Sequence, residues 1–487
     1  MFDFPADALQ KPHFSTEEQW ALLANKEAAV EDSATAVADI VKACIGVSME
    51  REKLGDEEKV PPMKVVLVAV PEFGHLLPIL HIARELASRG HDSTLFTFAF
   101  AEEKLRSTCG GDLGCTFHGV APEVRAPEAG EGEHATLKKD KRVISLYSWY
   151  CDGMAGPLQE FIKEKQPHAI VADFQGFCLF DLYKESQLPL IINFPEPLPL
   201  VAPLMNPALP KLLELSASFL MGCPESEGPM FEKMASSVGP RMWGNPVLVN
   251  SFHAFEDVPI VPLPSFTLTG PPAPRPAELA VKLTGLGPLD EWLGWVRAEG
   301  LRIVYVSMGT MVALERAQVE GIASGLERLA GCAVLWSLKE AQQALLPGGG
   351  PSAFPKRFFV HNWLPQSEVL LLPEVAVVVT HCGWGGLTET ITAGKPIVAT
   401  PFEADQPINA GIAHRRGIAE ILKPEDITAD SVESTVKKVF EEPSYAKKAK
   451  KLQEALLKTG GASKCAEVVE ETVRRAVARG DSSCVCS

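Results

Sequence analysis

The sequence has no excess of positive charge: 46 Lys and Arg stand against 62 Asp and Glu, a formal charge of -16. Nucleic acids and anionic membrane surfaces both recruit clustered Lys and Arg, so neither is an expected partner. No apolar run approaches the roughly 20 residues that span a bilayer, and no transmembrane segment is expected. The eleven cysteines, Cys44 to Cys486, show no zinc-type spacing. An odd, dispersed set reads as reduced thiols of a cytosolic protein. The opening MFDFPADALQKPHF lacks the basic start and apolar stretch of a signal peptide, which also points to a cytoplasmic location. The closing Cys484-Val485-Cys486-Ser487 fits a prenylation box only loosely, with a second cysteine at an aliphatic position and no polybasic tract before it. Repeats with periods of roughly 20 to 50 residues are absent as well.

What is present suits a globular α/β chain. Its 487 residues, 46% apolar and 22% charged, are too many for one ordinary core, so two domains with additions are expected. Residues 1–62 read as a helical extension: Ser15 and Glu18 form a capping-box pattern, and Trp20, Leu23, Val30, Ala34, Val37, Val41 and Cys44 share one face. Residues 63–270 then alternate strands with helices, beginning with MKVVLVAV (63–70), a continuous apolar run of the kind a parallel strand covered on both faces shows. Further runs at 93–100, 168–172 and 189–193 continue the pattern. The proline-dense PPAPRPAEL opens a linker, 271–288. A second unit, 289–460, carries RIVYVSM, AVLW, RFFVHNW, VAVVVT and PIVAT. The remainder, 461–487, is a C-terminal helix and tail, the helix expected to pack back on the first unit. Two Rossmann-like units of this kind hold a ligand at the carboxyl ends of their strands.

The most informative stretch is 363–406, WLPQSEVLLLPEVAVVVTHCGWGGLTETITAGKPIVATPFEADQ. A buried strand, VAVVVT, runs into His381-Cys382-Gly383-Trp384-Gly385-Gly386 and then a helix bearing Leu387, Glu389 and Ile391. A glycine turn there lets backbone N–H groups and a helix N-terminus face an anion, most often phosphate. Many such turns bind nothing, so the surroundings decide. His381 can donate to a phosphate oxygen, Glu389 can accept from ribose hydroxyls, and Trp363 offers an aromatic face to a base. Asp405 and Gln406 suit the hydroxyls of a sugar. The bland alternative keeps both tryptophans in the core and Glu389 as a solvated helix charge.

These residues, in this order and over a 44-residue span, resemble the signature box of family-one UDP-sugar-dependent glycosyltransferases, plant-type enzymes acting on small lipophilic molecules. The resemblance covers residues 63 to about 480. It implies the GT-B fold, two facing Rossmann-like domains, with the N-terminal helical extension outside it. It also implies that Trp363 stacks on uracil, Gln366 and Glu389 hold the ribose, His381 and Thr310 meet the diphosphate, and the main chain of Trp384 faces phosphate and sugar. Asp405 and Gln406 would hold the sugar, and glutamine at the last position resembles enzymes that use UDP-glucose. One departure stands out: Gly385-Gly386 replaces the usual Asn-Ser, removing two side-chain contacts while keeping the backbone donors.

A transfer with inversion needs a base for the acceptor's proton, and imidazole has a suitable pKa. His75, in Pro71-Glu72-Phe73-Gly74-His75, sits between the first strand and its helix. A lone histidine there is often structural, but the PxxGHxxP pattern resembles the loop of the family's catalytic base. Asp173, which ends HAIVA before Phe174, is the expected orienting carboxylate, with helix capping as the alternative. Phe73, Phe174, Phe177 and Tyr147 offer apolar surface for an acceptor. No two aspartates are separated by one residue, so the metal-holding D-x-D pattern is missing and no metal or cofactor is expected. The expected activity is inverting transfer of a sugar, glucose favoured, from a UDP-sugar to a hydroxyl of a small lipophilic acceptor. The rivals are a UDP-sugar hydrolase or epimerase on the same fold, and a non-catalytic UDP-sugar binder.

Overall fold

The computed structural model describes residues 61–109, 111–121, 143–201, 204, 228–256, 265–276, 287–309 and 312–479. The helix read within 1–62, Thr310, linker residues 277–286 and the tail bearing Cys484 lie outside the described residues. Among those described, no helix is long and apolar enough to cross a membrane.

The first half is built from β1 (Lys64–Val68), α1 (Phe73–Ser88), β2 (Asp92–Phe98), β3 (Thr116–Val120), α2 (Val143–Lys165), β4 (Ala169–Asp173), α3 (Phe180–Ser186), β5 (Leu190–Phe194), α4 (Gly228–Gly244), β6 (Val247–Val249) and β7 (Phe266–Leu268). The strands pair in the order β3-β2-β1-β4-β5-β6-β7, all parallel. Apolar side chains on both faces explain why β1, β4 and β5 read as unbroken hydrophobic runs: a sheet covered by helices on each side leaves no wet face. Helix α1 ends where the sequence says it should, with Arg89 as cap and Gly90 at φ +91°. Its start differs from expectation. The helix begins at Phe73, so His75 occupies the first helical turn rather than a preceding turn.

The second half comprises α5 (Pro288–Ala298), β8 (Arg302–Ser307), α6 (Arg316–Arg328), β9 (Cys332–Ser337), β10 (Phe358–His361), α7 (Gln366–Leu371), β11 (Val375–Thr380), α8 (Trp384–Thr392), β12 (Ile397–Ala399), α9 (Gln406–Arg415), β13 (Ala419–Ile421), α10 (Ala429–Glu441), α11 (Pro443–Leu457) and α12 (Ala462–Ala478). Its six parallel strands run β10-β9-β8-β11-β12-β13. The glycine pair also moves: Gly385 and Gly386 are the second and third residues of α8, not part of a turn ahead of it.

Strand order reverses direction once in each sheet, between β1 and β4 and between β8 and β11. Connections leave those points in opposite directions, opening a crevice beyond the carboxyl ends of the strands. His75 follows β1 and Asp173 ends β4, while Gly309 follows β8 and His381 follows β11. Each candidate cluster therefore sits at a switch point.

Three segments tie the halves. Phe252 and Phe255, beyond β6, enter a core with Trp384, Leu387 and Ile412. Arg416 Nε donates to the Phe255 carbonyl at 2.9 Å. Helix α12 lies against α1, where Glu470 receives Arg89 Nη1 at 3.1 Å and bonds His91 Nε2 at 3.0 Å.

Candidate active site

The first-half cluster is a histidine–aspartate pair. His75 Nδ1 lies 3.2 Å from Asp173 Oδ1 and 3.3 Å from Oδ2. The aspartate is fully buried and the histidine only 8% exposed. The backbone N–H of Gln175 donates to Asp173 Oδ1 at 2.9 Å, which fixes the carboxylate's rotation. With Nδ1 bonded to a carboxylate, the proton sits there and Nε2 keeps its lone pair. Burial pulls the His75 pKa down, but the Asp173 charge and hydrogen bond, followed by Asp405 and Glu72, leave it above the ordinary 6.5.

Aromatic rings frame the imidazole. Tyr147 meets it edge-on at 5.6 Å between centroids, and Phe174 is tilted at 5.7 Å. Phe73, two residues before His75, is half-buried with the Lys104 ammonium 4.2 Å above its ring. Phe177 is fully enclosed within the first half's core.

The second-half cluster begins with Trp363, which is 57% exposed just past β10 and presents an uncovered indole. Gln366, the first residue of α7, donates from Nε2 to Glu389 Oε2 at 2.5 Å and accepts from the Tyr305 hydroxyl at 3.4 Å. Ser367 Oγ donates to the other oxygen, Glu389 Oε1, at 2.6 Å. Glu389 is thus held between two donors rather than solvated, and burial still pushes its carboxyl above its ordinary 4.5.

His381 is clasped by glycine. A Cβ on Gly309 would fall 2.5 Å from its ring, and one on Gly383 would fall 2.6 Å from Nε2. Burial, with the Lys339 charge adding, lowers its pKa to about 4, so the imidazole is neutral at physiological pH. Cys382, between them, adopts φ +63°, and Ala404, before Asp405, adopts φ +57°. Both conformations are costly for residues with a Cβ and are held by their surroundings.

Asn409 supplies that hold. Its Nδ2 donates to the Cys382 carbonyl at 3.0 Å and to Asp405 Oδ2 at 2.5 Å. The Trp384 N–H donates to the same Asp405 oxygen at 2.8 Å. That donor, expected to face phosphate, is therefore engaged within the chain; the N–H groups of Gly385 and Gly386 follow it in the first turn, where a helix offers no internal partner. The Trp384 indole packs on Phe255 at 5.4 Å, as a core residue. Gln406 Oε1 accepts from Phe402 and Glu403 N–H at 2.9 and 3.3 Å, which commits its carbonyl oxygen and leaves the amide N–H₂ as its remaining donor group.

The clusters meet. The Asp405 carboxylate acts electrostatically on His75, and each pulls the other toward its charged form. Half-buried Glu196, beyond β5, reaches Asp405 from the first half; burial and then the Asp405 and Asp173 charges push its carboxyl well above the usual range. Sequence reading missed Asn409, Ser367 and Glu196. The four-residue spacing of Asp405 and Asn409 on one helix face was the available signal for the first. Glu196 lies two residues beyond β5, the strand beside the one that Asp173 ends, and so near the same carboxyl edge of the sheet, whereas nothing in the sequence marks Ser367.

Residues 289–456 match the family model described as UDP-glucoronosyl and UDP-glucosyl transferase. A myricetin 3-O-rhamnosyltransferase of Crocosmia x crocosmiiflora is 40% identical over 162 residues, 32% of this chain and 35% of that protein. The match thus spans about a third of that relative's length. UDP-glycosyltransferase 91B1 of Arabidopsis thaliana is 24% identical over 434 residues, 79% of this chain and 91% of that one. The crystal structure of a UDP-glucose: anthocyanidin 3-O-glucosyltransferase in complex with UDP superposes with a TM-score of 0.69 at 20% identity, covering 85% of this chain and 100% of that one.

Proposed function

We propose, from the premise that the chain belongs to the UDP-glucoronosyl and UDP-glucosyl transferase family, that it moves a sugar from a UDP-sugar to a hydroxyl of a small lipophilic acceptor, with inversion at the anomeric carbon. The observation that supports this reading is the buried His75–Asp173 pair, whose imidazole also feels the Asp405 charge from the second half.

In this reading His75 Nε2 takes the proton of the acceptor hydroxyl as its oxygen attacks the anomeric carbon. The bond from that carbon to the UDP oxygen breaks on the opposite face, which inverts the configuration. Asp173 holds the ring through Nδ1–H and stabilises the imidazolium. The diphosphate that departs is met by the start of α8 and by His381, fixed dipoles that need no reorganisation. Trp363 would stack on uracil, and Gln366 with Glu389 would receive the ribose. Asp405 and the amide of Gln406 would hold the sugar hydroxyls, with glucose as the donor sugar; the rhamnosyl specificity in one relative's name makes that choice worth testing directly. Tyr147 and Phe174 suit a phenolic or other apolar acceptor beside the base.

The test is incubation with UDP-glucose, UDP-rhamnose and a panel of hydroxylated aromatics and terpenoids, with products identified by mass and anomeric configuration. A β-glucoside is expected from UDP-α-glucose. UDP release without any glycoside, or a glycoside with retained configuration, overturns the reading. The absent D-x-D pattern leads us to expect the same rate in EDTA; an absolute requirement for added Mg²⁺ contradicts that part.

A further inference from the structure

Beside the acceptor wall lies a pair of thiols that sugar transfer does not use. One turn of α2 carries Tyr147, Ser148 and Cys151, and the segment after β4 carries Gln175 and Cys178. Ser148 Oγ lies 3.3 Å from Cys178 Sγ. Cys151 Sγ donates to the Gln175 carbonyl at 3.9 Å, which, with Ser148 Oγ on Cys178, sets the two cysteines on facing turns. Cys151 is buried while Cys178 is part-exposed, so Cys178 is the more accessible residue of the two.

Their environments differ in reactivity. The Cys151 thiol beside it lowers the Cys178 pKa most, with Ser148 and the Lys233 ammonium adding to it against burial. The thiolate is the nucleophile, and a part-exposed, low-pKa sulfur beside a second thiol is the arrangement that oxidants attack. Elsewhere the opposite holds: burial raises Cys109, and raises Cys115 to about 11.

We propose that Cys178 and Cys151 form an oxidation site for small hydroperoxides, Cys178 as the attacking sulfur and Cys151 as the resolving one. The Cys178 thiolate attacks the terminal peroxide oxygen, the O–O bond breaks, and the leaving alkoxide or hydroxide takes a proton; Cys178 becomes a sulfenic acid. The Cys151 sulfur then attacks that sulfur, an S–S bond forms, and the sulfenic oxygen leaves as water. Two thiols are oxidised and one peroxide is reduced.

The consequence runs through backbone. Oxidation removes the S–H that Cys151 donates to the Gln175 carbonyl, and the N–H of that same residue fixes Asp173, which orients His75. Tyr147, against His75, shares the helical turn that a new crosslink would pull. The oxidised protein should therefore hold its base less well, a readout that rests on the transferase reading above.

The experiment treats the full chain with equimolar hydrogen peroxide, alkylates it, and maps peptides without reduction. A Cys151–Cys178 crosslinked peptide is expected before Cys109 or Cys115 reacts, together with a fall in transfer of about tenfold or more, since small misplacements of a catalytic group cost that much. Dithiothreitol should restore the rate. Cys178→Ser should keep the starting rate and lose peroxide sensitivity, and Cys151→Ser should carry Cys178 onward to sulfinic acid. Cys178 left as a free thiol while other cysteines oxidise overturns the proposal, as does a disulfide mapped elsewhere. A crosslink without loss of transfer overturns the coupling to the base. Absence of any transfer by the reduced protein would instead count against the function, and leaves the crosslink map to judge the site by itself.

Discussion

A base works only when it is unprotonated, and the charges around His75 hold a proton on it past the ordinary histidine value. The acid limb of kcat/KM should therefore have its midpoint above 6.5, with activity rising as pH rises through the folded-state pKa. Asp173→Asn removes the largest opposing influence while burial stays, so the limb should move to lower pH. Turnover should also fall by about 10²–10⁴-fold, because the imidazole loses both its orientation and the charge that stabilises its protonated form. Profiles of kcat/KM against pH for the two proteins check this, and an unmoved limb would show that another group titrates. Asn409 works at the same scale by a different route. Asn409→Ala leaves the Asp405 carboxylate and the Cys382 carbonyl each short of a donor in a buried setting. An unmade buried hydrogen bond costs about 1–3 kcal/mol, so thermal stability and UDP affinity should drop together. A loss of stability with full UDP affinity would mean that the αL turn at Cys382 does not depend on this latch.

At the scale of elements, α8 offers a test of what its glycines are for. A Cβ at Gly385 meets nothing within 4 Å, so the chain's own packing does not require glycine there. Gly385→Ala should raise stability by about 0.5–1 kcal/mol through lost freedom of the unfolded chain. It should also raise the KM for the UDP-sugar, because the methyl enters the space in front of the helix N-terminus. Gly309→Ala should do the reverse to stability, given φ +65° and a contact of 2.5 Å with the His381 ring. Melting curves with and without UDP separate the two cases; a Gly385→Ala protein with unaltered KM would remove the first turn of α8 from the donor site. The same elements show what the sequence could reveal. Strands β1, β4, β5, β8 and β11 are buried on both faces and announced themselves as apolar runs. The short β6 and β13, three residues each, and β3, whose side chains are mostly half-exposed, lack that signature and escaped notice. Box residues such as Glu389 were legible because spacing on one helix carries them. Latches such as Ser367 to Glu389 were not, because a hydrogen bond across 22 residues leaves no periodicity to find.

For the whole molecule the question is what keeps a base in one half aimed at a sugar held by the other. Groups proposed for the donor, Trp363, Gln366, Glu389, His381, Asp405 and Gln406, all belong to the second half, whereas His75 and Asp173 belong to the first. Helix α12 is the last element of the second half in sequence yet packs on α1, the helix that begins with the His75 turn. Glu470 makes that attachment specific by binding Arg89 and His91 together, and Arg89 Nη2 also donates to the Ser463 carbonyl at 3.0 Å. Glu470→Ala takes from Arg89 and His91 the carboxylate they share in a part-buried site, at a cost of about 1–3 kcal/mol. The loss falls on the strap and on neither ligand-binding cluster. UDP affinity measured by calorimetry should therefore stay close to that of the parent, while kcat falls by about tenfold or more, since an ångström of misplacement between base and anomeric carbon can cost about 10²-fold. Should UDP affinity decline in step with kcat, the strap would be supporting the donor half itself, and the division of binding and proton removal between the two halves would have to be redrawn.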